Sequence, residues 1–465
     1  MTSDATVARA TLRRDRIALG CVALIVAAGI AAYANGVTDR FVGFNAQRSL
    51  VDNPDIRSLW PLDRAMGLHL TGQAAEADGG TLVRRPLLSL SFALNYVLLG
   101  AEPWGFHLVN IAIHLCAALF LFGVVRRILS LPLVAERWGP AATEIATAVA
   151  LLWVVHPLQT ESVTYVIQRA ESLASMFALA TLYFGCRYLV PNSPRTWAVA
   201  AFVSCALAFL TKESVVALPL LVLLIDWLLV SRSLRAALRT HPVFLLSLAS
   251  LWVLPLSLVL LTLPDVYVDF RPGRTLPYLL AQPRVLFEYV RLAFWPEPLY
   301  LYTNSTRFTE PGFFTVLIFG GGVLLALWGA VRGILRAQPR ALLPASFFLL
   351  LAPTSSFVAT NDVIQEHRIY LALAALICGA LLALHAGIAR IVASARMRRG
   401  AFAIVVAPAA IALGLATHAR NDDYREEFAV YYPSDLSMAH GALARHAAAH
   451  GRLDEAIDRY RELLE

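Results

Sequence analysis

Repeated apolar runs of about 20 residues restrict this chain to one class of fold. Hydrophobic residues make up 58% of its 465 positions and charged residues only 15%, a balance that ordinary soluble domains do not have. A helix needs about 20 mostly apolar residues to cross a hydrocarbon layer roughly 30 Å thick. The sequence therefore predicts an all-α, polytopic membrane bundle. The clearest runs are 17–35, 106–125, 171–190, 214–231, 242–263, 313–331, 369–389 and 401–417.

Arginine clusters and three shorter apolar runs predict the topology. The runs at 141–156, 196–211 and 341–358 are needed to keep the short arginine-bearing loops on one side, which gives about eleven spans. The basic segment 1–16 should stay in the cytoplasm, so the first run is an anchor; a cleaved signal peptide is the alternative. The odd number of spans predicts a C-terminus on the outer, periplasmic side of a bacterial inner membrane.

Three regions are predicted to lie on the outer face. Two are long loops at 36–105 and 264–312, where a half-length apolar segment begins at 86 and helical spacing of leucines follows 279. The third is the segment 418–465, which follows the membrane domain 17–417 and resembles one tetratricopeptide unit. A single unit cannot bury its own face, so 434–465 should dock on the membrane domain, pair with another chain or bind a partner. A plain helical hairpin is the alternative.

Ionisable side chains collect at a few positions beside the apolar runs, where charge is costly unless it is used. The stretch from His156 to Glu171 carries Glu161 and Arg169 between two long apolar segments. Lys212 is the only lysine in a chain otherwise rich in arginine, which favours a site that needs a compact ammonium group. An ion pair with Glu213 is the alternative.

A further cluster lies just before the span at 369–389 and contains Glu366, His367 and Arg368. A guanidinium group can bind two phosphate oxygens at once, so this cluster would suit a lipid phosphate at the outer surface. An interfacial anchor for the following helix is the alternative. The net charge of +7 is spread over many loops, which gives no indication of a nucleic-acid site.

Several short blocks, taken in order, resemble the multi-span, tetratricopeptide-containing glycosyltransferases related to protein O-mannosyltransferases. These blocks are Phe41-Val42, Val51-Asp52-Asn53-Pro54, Arg85-Pro86-Leu87-Leu88, His107-Leu108-Val109-Asn110 with His114, His156-Pro157 through Glu161 and Arg169, Lys212-Glu213-Ser214, and Glu366-His367-Arg368.

The resemblance implies transfer of a sugar from a polyprenyl-phosphate donor to a hydroxyl group of a protein or glycan at the outer face. A carboxylate would take the hydroxyl proton, and a cationic group or a divalent metal ion would stabilise the departing phosphate. The candidate catalytic carboxylates are Asp52, Glu161 and Glu171. The candidate phosphate-binding residues are Arg169, Lys212, His367 and Arg368. The candidate supporting residues are Asn45, His156, Glu213 and Glu366.

One departure from the family pattern concerns the first outer loop. The family usually has adjacent acidic residues a few positions after Phe-Val, where this chain has Asn45 and Ala46, and neither can act as a base. Either another acid such as Asp39, Asp52 or Asp55 substitutes, or the protein is a non-catalytic membrane scaffold. A transporter or flippase is a further alternative, although it should carry charges near mid-span.

Overall fold

The computed structural model is helical throughout the part of the chain that it describes. That part comprises residues 2–37, 40–41, 46–68, 82, 85–260, 272–299, 312–356 and 362–425, with residues 444, 457–458 and 461. These ranges contain no β-strand, which confirms the predicted all-α class. The predicted tetratricopeptide-like hairpin lies almost entirely outside them.

Within the described ranges, fourteen helices of eight or more residues form the bundle. The first seven are α1 (Thr2–Tyr33), α2 (Pro86–Leu99), α3 (Pro103–Leu129), α4 (Ala142–Val154), α5 (Arg169–Tyr188), α6 (Arg195–Thr211) and α7 (Leu218–Ile225). The next seven are α8 (Pro242–Ser250), α9 (Val253–Leu260), α10 (Pro272–Phe294), α11 (Phe313–Leu335), α12 (Leu342–Leu351), α13 (Leu373–Ile391) and α14 (Ala395–Asp423).

Shorter helical segments connect these helices. The α-helical ones are Leu62–Ala65, Pro132–Trp138, Thr160–Val163 and Leu234–Thr240. Single 3-10 turns occupy Ala34–Gly36, Pro54–Arg57, Gly139–Ala141, Pro157–Gln159, Val166–Gln168, Glu213–Val215, Pro339–Ala341 and Glu366–Ile369, and π-helical turns occupy Gln47–Val51 and Asp226–Ser231.

The length and apolar character of these helices make this a multi-pass membrane protein. Among the described residues, six helices could cross a bilayer, or up to eight if two bent helix pairs each form one span. The predicted runs at 196–211 and 341–358 form the shorter helices Arg195–Thr211 and Pro339–Leu351, and α2 is also short. The structure therefore supports six to eight spans by length, fewer than the predicted eleven.

Several helices begin at a proline. The N–H groups of the first helical turn have no hydrogen-bond partner within the helix, so the missing N–H of proline removes no helical bond there. Pro86, Pro103 and Pro242 occupy the first position of α2, α3 and α8. Pro157 follows the end of α4, and the chain bends by 58° between α4 and the segment 157–163. This bend interrupts the membrane span and leaves His156 to Arg169 as a compact connection between α4 and α5.

Two apolar cores hold the described chain together. The larger lies among the bundle helices and includes the fully buried Trp153 of α4. The smaller joins the segment 46–106 to the connection between α4 and α5, through Ile56, Phe92 and Phe106 packed with Ile167. The loop predicted at 36–105 is therefore folded onto the bundle wherever the structure describes it.

Candidate functional site

The connection between α4 and α5 is held in place by His156. Its Nδ1 accepts the Leu158 N–H at 3.2 Å and so caps the 3-10 turn Pro157–Gln159. Its Nε2 then carries the ring proton and donates to the Ala293 carbonyl of α10 at 3.1 Å. The predicted supporting residue His156 thus joins α10 to the site, and its ring is fully engaged by the protein.

Glu161 is bound to His367 through both of its carboxylate oxygens. Oε1 lies 2.6 Å from His367 Nδ1, and Oε2 accepts the His367 backbone N–H at 2.7 Å. Both side chains are buried. Burial, reinforced by the nearby Lys212, lowers the pKa of His367 well below its usual value, so the ring is neutral and donates its Nδ1 proton to Glu161.

Lys212 pairs with Glu171, and the alternative pairing with Glu213 is wrong. Lys212 Nζ lies 2.7 Å from Glu171 Oε2, and both side chains are buried. The Lys212 backbone is extended, with φ −157° and ψ 137°, so successive side chains point in opposite directions. Glu213 instead binds Arg85, whose Nη2 and Nε lie 2.7 and 3.2 Å from its two oxygens.

Glu171 and Lys212 retain unused hydrogen-bonding capacity. In the described chain, Glu171 Oε1 accepts no hydrogen bond, while Oε2 takes the bond from Lys212. An ammonium group has three donors, and within the same ranges Lys212 uses one of them. The pair therefore offers one free acceptor beside free cationic donors.

Arg368 lines the same small cavity as Glu171. Its Nη2 donates to the Asp362 carbonyl at 2.8 Å, and its Nη1 donates to the Val363 carbonyl at 3.2 Å. Glu171, Ser214 and Arg368 line the cavity, whose volume of about 10 Å³ is close to that of one water molecule. The structure thus places the candidate base Glu171 and the candidate phosphate-binding residue Arg368 at one cavity, and the second cation, Lys212, is bound to Glu171.

An apolar groove of about 770 Å³ leads towards this cavity. The groove runs between α3, α5, α12 and α13, and its lining is mostly aliphatic. Leu350 and Leu371 line both the groove and the small cavity, so the two spaces are adjacent. Arg137 and Arg340 lie at the opposite end of the groove. The apolar groove thus has cationic residues at both ends, Arg368 at the small cavity and Arg137 with Arg340 at the far end.

Arg169 is a candidate phosphate ligand that the structure places inside the protein. Its side chain is fully buried, and its Nε and Nη2 donate to the amide oxygens of Asn110 and Asn95 at 2.6 and 2.7 Å. Its guanidinium carbon lies 4.2 Å from the centre of the Phe92 ring, and Nη2 also donates to the Phe106 carbonyl at 3.0 Å. In this geometry Arg169 joins α2, α3 and α5 and presents no surface to a ligand.

The remaining candidates lie away from the cavity or outside the described residues. Asp52 is exposed, next to Asn53, whose side chain accepts the Asp55 N–H at 2.9 Å and shapes a turn. Asn45 and Asp39 fall outside the described ranges. Ala46, at the other position of the missing acidic pair, is fully buried in the smaller apolar core.

Glu366 lies near Arg420, whereas the adjacent His367 contacts Glu161. The Oε2 atom of Glu366 lies 4.0 Å from Arg420 Nη2, near the end of α14. Nothing in the apolar run that precedes Arg420 indicated this contact. Asn110 and Tyr370 are two further buried side chains that were not among the predicted site residues. Asn110 donates to the Val163 and Val166 carbonyls and accepts from Arg169, while the Tyr370 hydroxyl lies 2.7 Å from His114 Nδ1.

Metal binding finds no support among the described residues. They contain no group of three or more histidine, cysteine, aspartate or glutamate side chains that could hold a metal ion. The cations that interact electrostatically with Glu161 are Lys212, Arg368 and Arg420.

Comparison with known proteins confirms the resemblance drawn from the sequence blocks. The chain is 32% identical to Protein O-mannosyl-transferase TMTC3 from Mus musculus over 194 residues, which are 41% of this chain and 20% of that protein. It is 31% identical to Protein O-mannosyl-transferase Tmtc1 from Drosophila melanogaster over 209 residues, or 44% of this chain and 22% of that protein. The match thus spans about a fifth of each relative. No protein-family model matches.

Among solved structures, the chain is similar to the crystal structure of ArnT from Cupriavidus metallidurans bound to undecaprenyl phosphate. The two are 19% identical, with a TM-score of 0.42, and the alignment covers 96% of this chain and 76% of that chain. An overall similarity this low carries no conclusion about the site.

Proposed function

We propose that this protein is a membrane glycosyltransferase that moves a sugar from a polyprenyl-phosphate donor to a hydroxyl group at the outer membrane face. The observation that carries the proposal is the position of Glu171 and Arg368 at one small cavity beside an apolar groove, with Lys212 bound to Glu171. The relatives named as protein O-mannosyl-transferases support the same class of reaction.

Glu171 is the best-placed general base. Its Oε1 is free of hydrogen bonds from the described residues, and the residue lines the cavity. Glu161 has both oxygens engaged by His367, so it is better suited to hold the turn that carries Arg368. A positioned carboxylate that takes a proton in the transition state typically contributes about 10²–10⁴-fold to the rate.

Lys212 and Arg368 would bind the donor phosphate and stabilise the charge that develops as the sugar leaves. Both are held by the protein before a ligand arrives, Lys212 by Glu171 and Arg368 by backbone carbonyls. Such prearranged cations in a site that excludes water stabilise developing charge without reorganisation. The apolar groove would hold the polyprenyl chain, with Leu350 and Leu371 at the junction between chain and phosphate.

The topology that we propose with this function has about eleven spans, with 1–16 in the cytoplasm, 17–417 as the catalytic domain in a bacterial inner membrane and 418–465 in the periplasm. In this arrangement the turn Glu366–Ile369 and Lys212 lie on the outer side, while Arg126 and Arg187 lie on the cytoplasmic side. The segment 434–465 would form the tetratricopeptide-like hairpin that binds an acceptor or another protein.

A direct transfer assay tests the proposal. Purified protein would be incubated with radiolabelled polyprenyl-phosphate sugars and hydroxyl acceptors, and both labelled acceptor and released lipid phosphate would be measured. We expect the two products to appear together in the wild type and to be strongly reduced by Lys212→Met. An Arg336→Gln variant serves as the control, because Arg336 is an exposed arginine far along the chain from the site.

The absence of transfer across several donors and acceptors would contradict the proposal and favour a scaffold. A scaffold predicts that deletion of 434–465 abolishes capture of a protein partner while the membrane domain still binds lipid. Transport of the lipid without transfer would instead support a flippase.

A further inference from the structure

A second polar cavity lies at the opposite end of helices α3 and α5 from the candidate catalytic site. Its volume is about 820 Å³, and its wall includes Arg126, Arg127 and Arg187. Arg169 begins α5 and Arg187 lies in its last turn, so about 27 Å of helix separates them, almost the thickness of a hydrocarbon layer. We call this cavity the arginine pocket.

The three guanidinium groups of the arginine pocket have no acidic partner among the described residues. The Nε atoms of Arg127 and Arg187 are buried and form no hydrogen bond there. Arginines whose only role is to keep a loop on the cytoplasmic side would extend into water, where solvent forms hydrogen bonds with all of their N–H groups. The pocket therefore concentrates positive charge and unused donors in one partly enclosed space.

Neighbouring side chains fix the position of Arg187. Its Nη1 donates to the Tyr183 hydroxyl at 2.9 Å, and its guanidinium carbon lies 3.9 Å from the centre of the Trp197 ring. Gly123 allows Tyr183 to approach α3, because a Cβ atom there would lie 2.8 Å from the tyrosine ring. The guanidinium is thus oriented before any ligand binds.

The rest of the arginine pocket is apolar and continues towards the middle of the bilayer. Cys116, Leu119 and Phe120 form this part of its wall, and Cys116 is exposed on the helix surface. From Cys116 to Arg126 the wall extends about 15 Å along α3. A free phosphate or a nucleotide would leave this apolar wall unused, whereas an acyl chain would cover it.

We propose that the arginine pocket binds one anionic phospholipid from the membrane leaflet opposite the candidate catalytic site. Its phosphate would accept hydrogen bonds from Arg127 and Arg187, and an acyl chain would lie along Cys116 and Phe120. Phosphate accepts paired hydrogen bonds from guanidinium groups, and each basic residue near an anionic lipid surface strengthens binding about fivefold.

The test uses the purified, delipidated full chain and native mass spectrometry with phosphatidylglycerol or phosphatidylcholine as the added lipid. We expect the wild type to retain one phosphatidylglycerol at concentrations at which phosphatidylcholine is lost. Arg127→Gln combined with Arg187→Gln should weaken phosphatidylglycerol binding by about 25-fold. Arg390→Gln is the matched control, since Arg390 is an exposed arginine outside the pocket, and it should bind like the wild type.

Equal binding of the two lipids by the wild type would overturn the proposal, and this result does not depend on how well any variant folds. Equal phosphatidylglycerol binding by the folded double variant and the wild type would also overturn it. Displacement of the lipid by millimolar inorganic phosphate would assign the pocket to a free anion instead.

Discussion

The loss of Arg169 should destabilise the protein before it affects any ligand. Its guanidinium donates to Asn110 and Asn95 at 2.6 and 2.7 Å, and each such bond from a charged donor contributes about 1.5–3 kcal/mol. Contact with the Phe92 ring adds up to about 2 kcal/mol in a desolvated site. The substitution also removes the desolvation cost of burying the guanidinium charge, which offsets part of this loss of stability. We therefore expect Arg169→Gln to lower the free energy of unfolding by about 3–5 kcal/mol.

Arg169→Lys provides the sharper comparison. Lysine keeps the charge but cannot reach Asn95 and Asn110 together, because an ammonium lacks the planar fork of donors. We expect both variants to lower the thermal unfolding midpoint by about 5 °C, measured by tryptophan fluorescence at one heating rate, because membrane proteins often unfold irreversibly. Arg336→Gln should leave it unchanged. Unchanged midpoints together with lost sugar transfer would refute this reasoning and show that Arg169 binds the donor.

Three further predictions follow from the buried and exposed ion pairs. Lys212→Met should lower the free energy of unfolding by about 3–5 kcal/mol because it leaves the Glu171 carboxylate buried without its partner, and adding Glu171→Leu should restore most of that loss in chemical unfolding. Glu213→Gln should cost about 1 kcal/mol or less in the same experiment, because the Glu213 side chain is 56% exposed where it meets Arg85. Burial lowers the pKa of His367 in the folded protein, so its contribution to stability is complete above about pH 6.5 and decreases as the pH falls, whereas burial raises the pKa of its partner Glu161 to about 7 and has the opposite effect; in a Glu161→Gln variant, where the histidine titrates alone, the unfolding midpoint should be lower at pH 5 than at pH 7.5, and adding His367→Asn should reduce the difference.

The helices were largely predictable from the sequence because a bilayer requires apolar runs of a fixed length. The runs at 106–125 and 313–331 correspond to α3 and α11. The leucine spacing after 279 predicted α10, but Leu279 itself is 37% exposed, and the packed face of that helix carries Tyr278 and Tyr289. The periodicity of apolar residues identifies a helix. It does not show which face of the helix is buried, because that depends on how the chain folds around it.

The residues that belong to the candidate site were partly predictable from the sequence, but the pairs of side chains that contact each other were not. Glu171, Lys212 and Arg368 stood out as charges beside apolar runs, and the structure places Glu171 and Arg368 at one cavity, with Lys212 bound to Glu171. Arg169 stood out for the same reason, yet its partners Asn95 and Asn110 lie on α2 and α3, far away in sequence. Spacing along a chain cannot distinguish a guanidinium that faces a ligand from one that joins helices.

The rate of sugar transfer by two isosteric variants tests the central claim most directly. Glu171→Gln and Glu161→Gln would be compared with the wild type at a temperature at which circular dichroism shows all three to be folded. We predict that Glu171→Gln lowers kcat by about 10²-fold or more, because Oε1 of Glu171 is the free acceptor at the cavity, and that Glu161→Gln lowers it less. Wild-type kcat in Glu171→Gln would contradict the proposed role of this carboxylate.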